Sequence, residues 1–380
     1  MNSAEILDRL ISFPTVSRDS NLSLIEFVRD FLAQCGVASK LYHDATGRKA
    51  NLFASIGPTE QPGMLLSGHT DVVPVDGQTW SSSPFQLKQR GERLYARGAA
   101  DMKGFLACAL HAAQRATRQP LRMPLQLAFS YDEEVGCLGV RSLIADMSTW
   151  SHRPRFCIVG EPTMLRSAVG HKGKTALKAA CHGRAAHSAC PDLGVNAIYL
   201  ASDLIARIRE RQTDIAHSGT RDPAYDVPYT TLHVGVIQGG TVLNIVPEHC
   251  EIEFEIRNLP ADDPRALVDA LRGDAAQVVR SAGAHADTGI AFDIGHEYPA
   301  LETAADAEVV ELAAQLTGNR ERIKVGFGTE GGLFSGQLGI PTVVCGPGSI
   351  DQAHKPDEFI ATEQLQRCDA MMTALLDRLI

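Results

Sequence analysis

Apolar residues recur at helical spacing at the start of the chain: Ile6, Leu7, Leu10 and Ile11 share one face, and Pro14 stops that run. Leu24, Ile25, Val28, Phe31 and Leu32 form a second helical face, closed by Gly36. Short apolar runs over 51–56, 64–66, 125–130 and 156–160 read as strands, and 104–115 reads as a helix between two of them. Apolar strands that alternate with helices predict an α/β architecture, a mainly parallel sheet covered on both faces. The texture changes near residue 174. Strand 174–182, helix 196–211, strands 231–238 and 249–257, helix 264–282 and strand 289–294 follow in the order βαββαβ, a ferredoxin-like unit. The α/β pattern returns with helix 306–317, strand 342–345 and helix 363–379. The expected division is an α/β domain in two parts, 1–173 and 298–380, interrupted by an inserted module over 174–297.

Composition narrows the function classes. The 380 residues are 44% apolar and 21% charged, average for a globular chain. No apolar run approaches the ~18 residues of a membrane span. The first ten residues lack the basic region and apolar core of a secretory signal. A net charge of −9 without any basic stripe argues against nucleic acid and anionic membrane as partners. The nine cysteines are scattered, with no CxxC pair, and read as free thiols of a cytoplasmic protein.

Ligands of open α/β sheets bind beyond the carboxyl ends of the strands. Residues 64–66 are followed by Ser67-Gly68-His69-Thr70-Asp71, and 125–130 by Tyr131-Asp132-Glu133-Glu134. Residues 156–159 lead into Gly160-Glu161-Pro162, and 342–345 into a Gly/Pro loop that ends in Ala353-His354-Lys355. Asp101 lies in Arg97-Gly98-Ala99-Ala100-Asp101, just before a helix. Each segment alone is an ordinary turn. Acids and histidines gathered at one predicted edge need a cation between them. Mixed imidazole and carboxylate suits zinc, cobalt or manganese and argues against calcium. Five ligands exceed one tetrahedral zinc; with Asp101 bridging, two ions can share them at ~3.5–4 Å. Asp71, two residues beyond His69 on an extended chain, points the same way and reads as the partner that orients its ring. Glu133 and Glu134 are adjacent and face opposite ways, so one can bind metal while the other serves as general base.

The stretches SGHTDVVP, RGAADMKG, DEEVG, GEPT, GRAAHSACPDLGVNAI and CGPGSIDQAHKPDEF span essentially the whole chain. In this order they resemble the co-catalytic zinc aminoacylase and carboxypeptidase family. The resemblance implies two zinc ions per subunit, for which cobalt can substitute. His69, Asp101 and Glu161 would hold one ion, and Asp101, Glu134 and His354 the other. Glu133 would be the general base, Asp71 would orient His69, and the Asp101–Met102 peptide would be cis. The inserted module would be the dimerisation domain of a homodimer, with His187 reaching across to stabilise an oxyanion. Asn244 and Arg257 match substrate-contacting positions, and a guanidinium is a suitable grip for an α-carboxylate. The loops 328–332 and 346–352 resemble the branch that acts on acetylornithine, not the one that acts on succinyl-diaminopimelate. Thr329 and Glu330 are therefore expected at the substrate, with Glu330 facing its ammonium group. The implied activity is deacetylation of N-acetyl-L-ornithine, a small-molecule step of arginine biosynthesis. A desuccinylase, another acyl-amino-acid hydrolase or a dipeptidase are the alternatives among enzymes; a non-catalytic metal-binding scaffold is the alternative outside them.

Overall fold

The computed structural model describes residues 1–283 and 287–380. They form two compact units, Met1–His171 with Leu301–Ile380, and Lys172–Ala300.

The first unit is built on a nine-stranded sheet. Its centre consists of Leu125–Ser130, Met64–His69, Phe156–Pro162 and Thr342–Gly346, adjacent in that order and all parallel. These strands are buried along their full length, which is why they read as continuous apolar runs. The margins are mostly antiparallel, with Arg322–Val325 parallel to its neighbour Ser167–His171. Ala50–Ile56 and Ser39–His43 extend one side, and Ser167–His171 and Leu301–Glu302 the other. The mainly parallel sheet of the sequence reading is thus its centre. Helices Ser3–Ile11, Gly104–Ala116 and Thr362–Leu379 send Ile6, Leu10, Phe105, Leu110, Met371 and Leu375 into one apolar core. The first helix starts on a reciprocal cap between Asn2 and Glu5. A small second sheet pairs Phe359–Ala361 with Arg93–Tyr95, and the latter with Lys88–Arg90.

The second unit has the expected βαββαβ order. Its strands lie as Thr231–Gly239, His249–Arg257, Lys174–His182 and Gly289–Tyr298, each antiparallel to its neighbour, the ferredoxin-like arrangement. Burial alternates along Lys174–His182 and His249–Arg257, so one face packs and the other stays open. Leu177, Ile252, Leu204 and Leu271 join strands and helices in one core. Helix Ala197–Ser218 is capped by the Asn196 side chain, and Pro264–Ser281 by Asp263 with Pro264 at its first turn. Among the described residues no helix is long and apolar enough to cross a membrane.

Candidate metal centre

Three central strands of the first unit end on His69, Ser130 and Pro162, which sets His69, the Asp132–Glu134 acids and Glu161 along one edge. Two glycines allow this. A Cβ on Gly160 would stand 2.0 Å from the Phe105 ring, and one on Gly68 2.5 Å from Met102 Cε. The strands that carry Glu161 and His69 therefore approach the Asp101 segment closely only because the preceding residue lacks a side chain. The Asp101–Met102 peptide is cis, and Asp132 and His354 take left-handed backbone with φ 55° and 60°.

The donor atoms converge on Asp101. Its Oδ1 lies 3.1 Å from His69 Nε2, and that same nitrogen is 3.6 Å from Glu161 Oε1. Its Oδ2 lies 3.2 Å from His354 Nε2, which is 3.2 Å from Glu134 Oε2. Donors ~2.0–2.2 Å from a tetrahedral ion stand roughly 3.2–3.6 Å apart, a range these contacts match, and His69, Asp101 and Glu134 also offer donor atoms within 4.8 Å of one another. Glu133 belongs to the same place, since His69, Glu133 and Glu161 offer donor atoms within 4.8 Å of one another.

Charge leads to the same conclusion. Burial, reinforced by Asp101, drives the Glu161 carboxyl well above its usual range. Burial also raises Glu133 well above that range, with Glu134 and Glu330 adding repulsion. Burial and Asp101 together bring Glu134 to about 6. Burial disfavours charge on Asp101 too, but its hydrogen bonds with His354 and His69 hold it below the usual carboxylate range. Bonds to Asp101 and Glu134 raise His354 to about 10. Burial works against a charged His69, yet Glu161, Asp101 and Asp71 outweigh it and raise its pKa well above 6.5. Carboxylates in excess over imidazoles at one site are what a bound divalent cation balances.

Asp71 contacts His69 through an unexpected atom. His69 Nδ1 is 2.9 Å from the Asp71 main-chain oxygen and 3.5 Å from the nearer carboxylate oxygen. The carboxylate instead accepts the Ser17 hydroxyl at 2.7 Å and the amides of Glu133 and Glu134 at 3.2 and 3.3 Å. Ser17 was not foreseen, nor was Lys49, whose ammonium group lies 2.6 and 2.7 Å from the two Asp132 oxygens. Glu358, also unforeseen, accepts the amides of Ala100 and Asp101 at 2.9 and 3.2 Å.

The two residues expected near the substrate ammonium group, Thr329 and Glu330, are both buried. Thr329 is fully buried and its hydroxyl accepts the Gly331 amide. Glu330 is 1% exposed, and its Oε2 accepts the Ser67 hydroxyl at 3.1 Å. The Glu330 charge adds to the repulsion on Glu133, so this buried acid lies close to the candidate base.

The remaining expected residues lie in the second unit. The His187 and Asn244 loops pair there: Ser188 donates to the Asn244 carbonyl at 3.1 Å, and His187 bridges Ile245. Both side chains are exposed. The Ala189 amide donates to His187 Nδ1 at 3.0 Å, which leaves the ring proton on Nε2. Arg257 donates to Glu255 at 2.9 Å and to the Tyr298 hydroxyl at 2.8 Å.

The sequence profile of peptidase family M20/M25/M40 matches residues 65–378. An acetylornithine deacetylase of Myxococcus xanthus is 35% identical over 371 residues, which is 96% of this chain and 94% of that protein. Among solved structures, an M20 family metallo-carboxypeptidase from Sulfolobus solfataricus superposes with a TM-score of 0.77 at 19% identity, covering 99% of this chain and 98% of that one. A dinuclear metal-binding M20 peptidase of Bacillus subtilis gives 0.70 at 16% identity, covering 100% and 98%. With the profile spanning most of its length and a relative above 30% identity over nearly all of it, the chain belongs to peptidase family M20/M25/M40 and is a hydrolase.

Proposed function

We propose that this chain is a two-metal amidohydrolase that converts N-acetyl-L-ornithine and water into L-ornithine and acetate. The carrying observation is the double contact of Asp101, with one carboxylate oxygen toward His69 and the other toward His354. Acetylornithine deacetylase is the name of the M. xanthus relative, which supports this substrate within the family. His69, Asp101 and Glu161 would hold one ion, and Asp101, Glu134 and His354 the second. Bound zinc, or cobalt in its place, supplies an acidified water and polarises the acyl carbonyl.

The protein's own groups do the rest. Glu133, beside this ligand set and raised by burial, takes the proton of the attacking water and returns it to the leaving amine. Asp71 fixes the Glu133 amide and thereby the position of that base. Across the proposed dimer, the Nε2–H of His187 would donate to the carbonyl oxygen as negative charge develops there. By its match to the family's substrate-contacting position, Arg257 would pair with the substrate α-carboxylate. Lys172–Ala300 would pair two copies into a homodimer. Its sheet ends on strand Thr231–Gly239, with Val236 and Ile237 exposed, and Leu243 on the next loop is fully exposed. A cytoplasmic setting in arginine biosynthesis belongs to the same reading.

The test is turnover of N-acetyl-L-ornithine, succinyl-diaminopimelate, N-acetyl-L-methionine and an Ala-Gly dipeptide by the zinc- or cobalt-loaded protein. Acetylornithine should lead in kcat/KM by at least ~10-fold, the discrimination a few buried contacts supply. A lead for another compound discards the substrate and keeps the chemistry. No hydrolysis of any amide discards both.

A further inference from the structure

The Asp101–Glu134–His354 set comes from three separate segments, and two of them, the Asp101 and His354 loops, lie more than 250 residues apart in sequence and must be held in register. The small sheet begins this task. Pairing of Phe359–Ala361 with Arg93–Tyr95 continues one residue outward, where the Ala96 amide donates to the Glu358 carbonyl at 3.0 Å. The side chains of Arg97 and Glu358 then meet at 2.7 Å, each 1% exposed. Gly98 turns the chain with φ 81°, which brings the following amides back toward Glu358. Glu358 Oε1 accepts the amides of Ala100 and Asp101, while Oε2 accepts Arg97. On the other side, Arg97 donates to Gln78 Oε1 at 2.7 Å, and Gln78 Nε2 donates to the His354 carbonyl at 3.2 Å. An unbroken chain of polar contacts thus runs from the backbone of Asp101 to that of His354.

We infer that the buried Arg97–Glu358 pair is a clasp that sets the spacing between the Asp101 loop and the His354 loop. The inference rests on the two-metal reading and adds a positioning role that the ligands do not have. A buried ion pair is weak evidence for stability, because desolvation offsets most of its attraction. Its value here is geometric. Both carboxylate oxygens are occupied, one on the loop amides and the other on a guanidinium that reaches the second loop through Gln78. Residues that orient ligands commonly change metal affinity ~10–100-fold when replaced.

The test is calorimetric titration of Zn²⁺ into the chelated full-length protein, with Glu358→Gln and Gln78→Ala beside the wild type. Glu358→Gln keeps an oxygen for the loop amides but sets an NH₂ group against Arg97. Gln78→Ala removes the link to the His354 carbonyl, leaves Arg97 only its 3.4 Å contact with the Lys355 carbonyl on that loop, and strands no buried charge. The clasp predicts two ions in the wild type. In the variants one affinity stays within ~3-fold and the other falls ~10–100-fold. General loss of folding would weaken both ions together and would not produce this split. Unchanged affinities, or equal losses at both sites, overturn the clasp. A wild type that binds fewer than two ions overturns the two-metal reading and the clasp with it. If Glu358→Gln does not fold, Gln78→Ala decides alone.

Discussion

The Asp71 carboxylate accepts the main-chain amide of Glu133 at 3.2 Å. It accepts the Glu134 amide and the Ser17 hydroxyl as well, so one buried acid fixes the segment that carries both glutamates. Asp71→Asn would place an NH₂ group against one of these donors. The expected result is a ~10–100-fold loss in kcat with KM within ~3-fold, measured on acetylornithine with saturating zinc. A loss confined to KM would show that Asp71 serves substrate binding instead.

Glu133 is read as the base and Glu134 as a ligand, although the two are neighbours in sequence. Glu133→Ala should lower kcat by ~10²–10⁴-fold while the protein still binds two zinc ions by elemental analysis. Near-full turnover, or loss of an ion, would contradict the division of labour between the two glutamates.

Gly160 permits the close approach of the Glu161 strand to Phe105. Gly160→Ala should destabilise the protein by ~1–3 kcal/mol through overpacking. Adding Phe105→Leu should recover part of that loss, so the double variant would be more stable than the sum of the single effects predicts. Urea midpoints of the four proteins test this; additive effects would mean the two residues do not clash.

Glu330 carries a buried acid whose pKa burial lifts from 4.5 to about 7. The folded chain therefore holds this proton more tightly than the unfolded chain between those values. The stability it contributes is present below pH 4.5 and lost as the pH rises through 7. Glu330→Gln keeps a group that can accept from Ser67 and removes the titration. The urea midpoint of the wild type should fall more between pH 5 and pH 8 than that of the variant, with chelator present in both. Parallel pH dependence would contradict the shift.

Most of the architecture was legible because its causes are local. Full burial makes the central strands continuous apolar runs, and Asn196 or Asp263-Pro264 mark helix starts by chemistry that needs no tertiary context. Helix Gly331–Leu338 was hidden because three of its eight residues are glycine, in GGLFSGQL, where weak helix propensity yields to packing. The candidate ligands His69, Glu134, Glu161 and His354 were legible because they lie at or beyond the ends of apolar strands, and Asp101 because it stands just before a helix. Glu358 was not, because its partners are backbone amides more than 250 residues away in sequence. The burial of Glu330 depends on how its helix docks against Ser67, which no local pattern encodes. The contact of His69 with the carbonyl of Asp71 instead of its carboxylate likewise depends on tertiary partners, Ser17 and the Glu133 amide, that draw the carboxylate away.

The most direct single measurement is release of ornithine from N-acetyl-L-ornithine by protein stripped with chelator and reloaded with zero, one and two equivalents of zinc. A two-ion centre bridged by Asp101 predicts no turnover without zinc and a rate that reaches its maximum only at two equivalents. Full turnover in the stripped protein, or none at two equivalents, would contradict it.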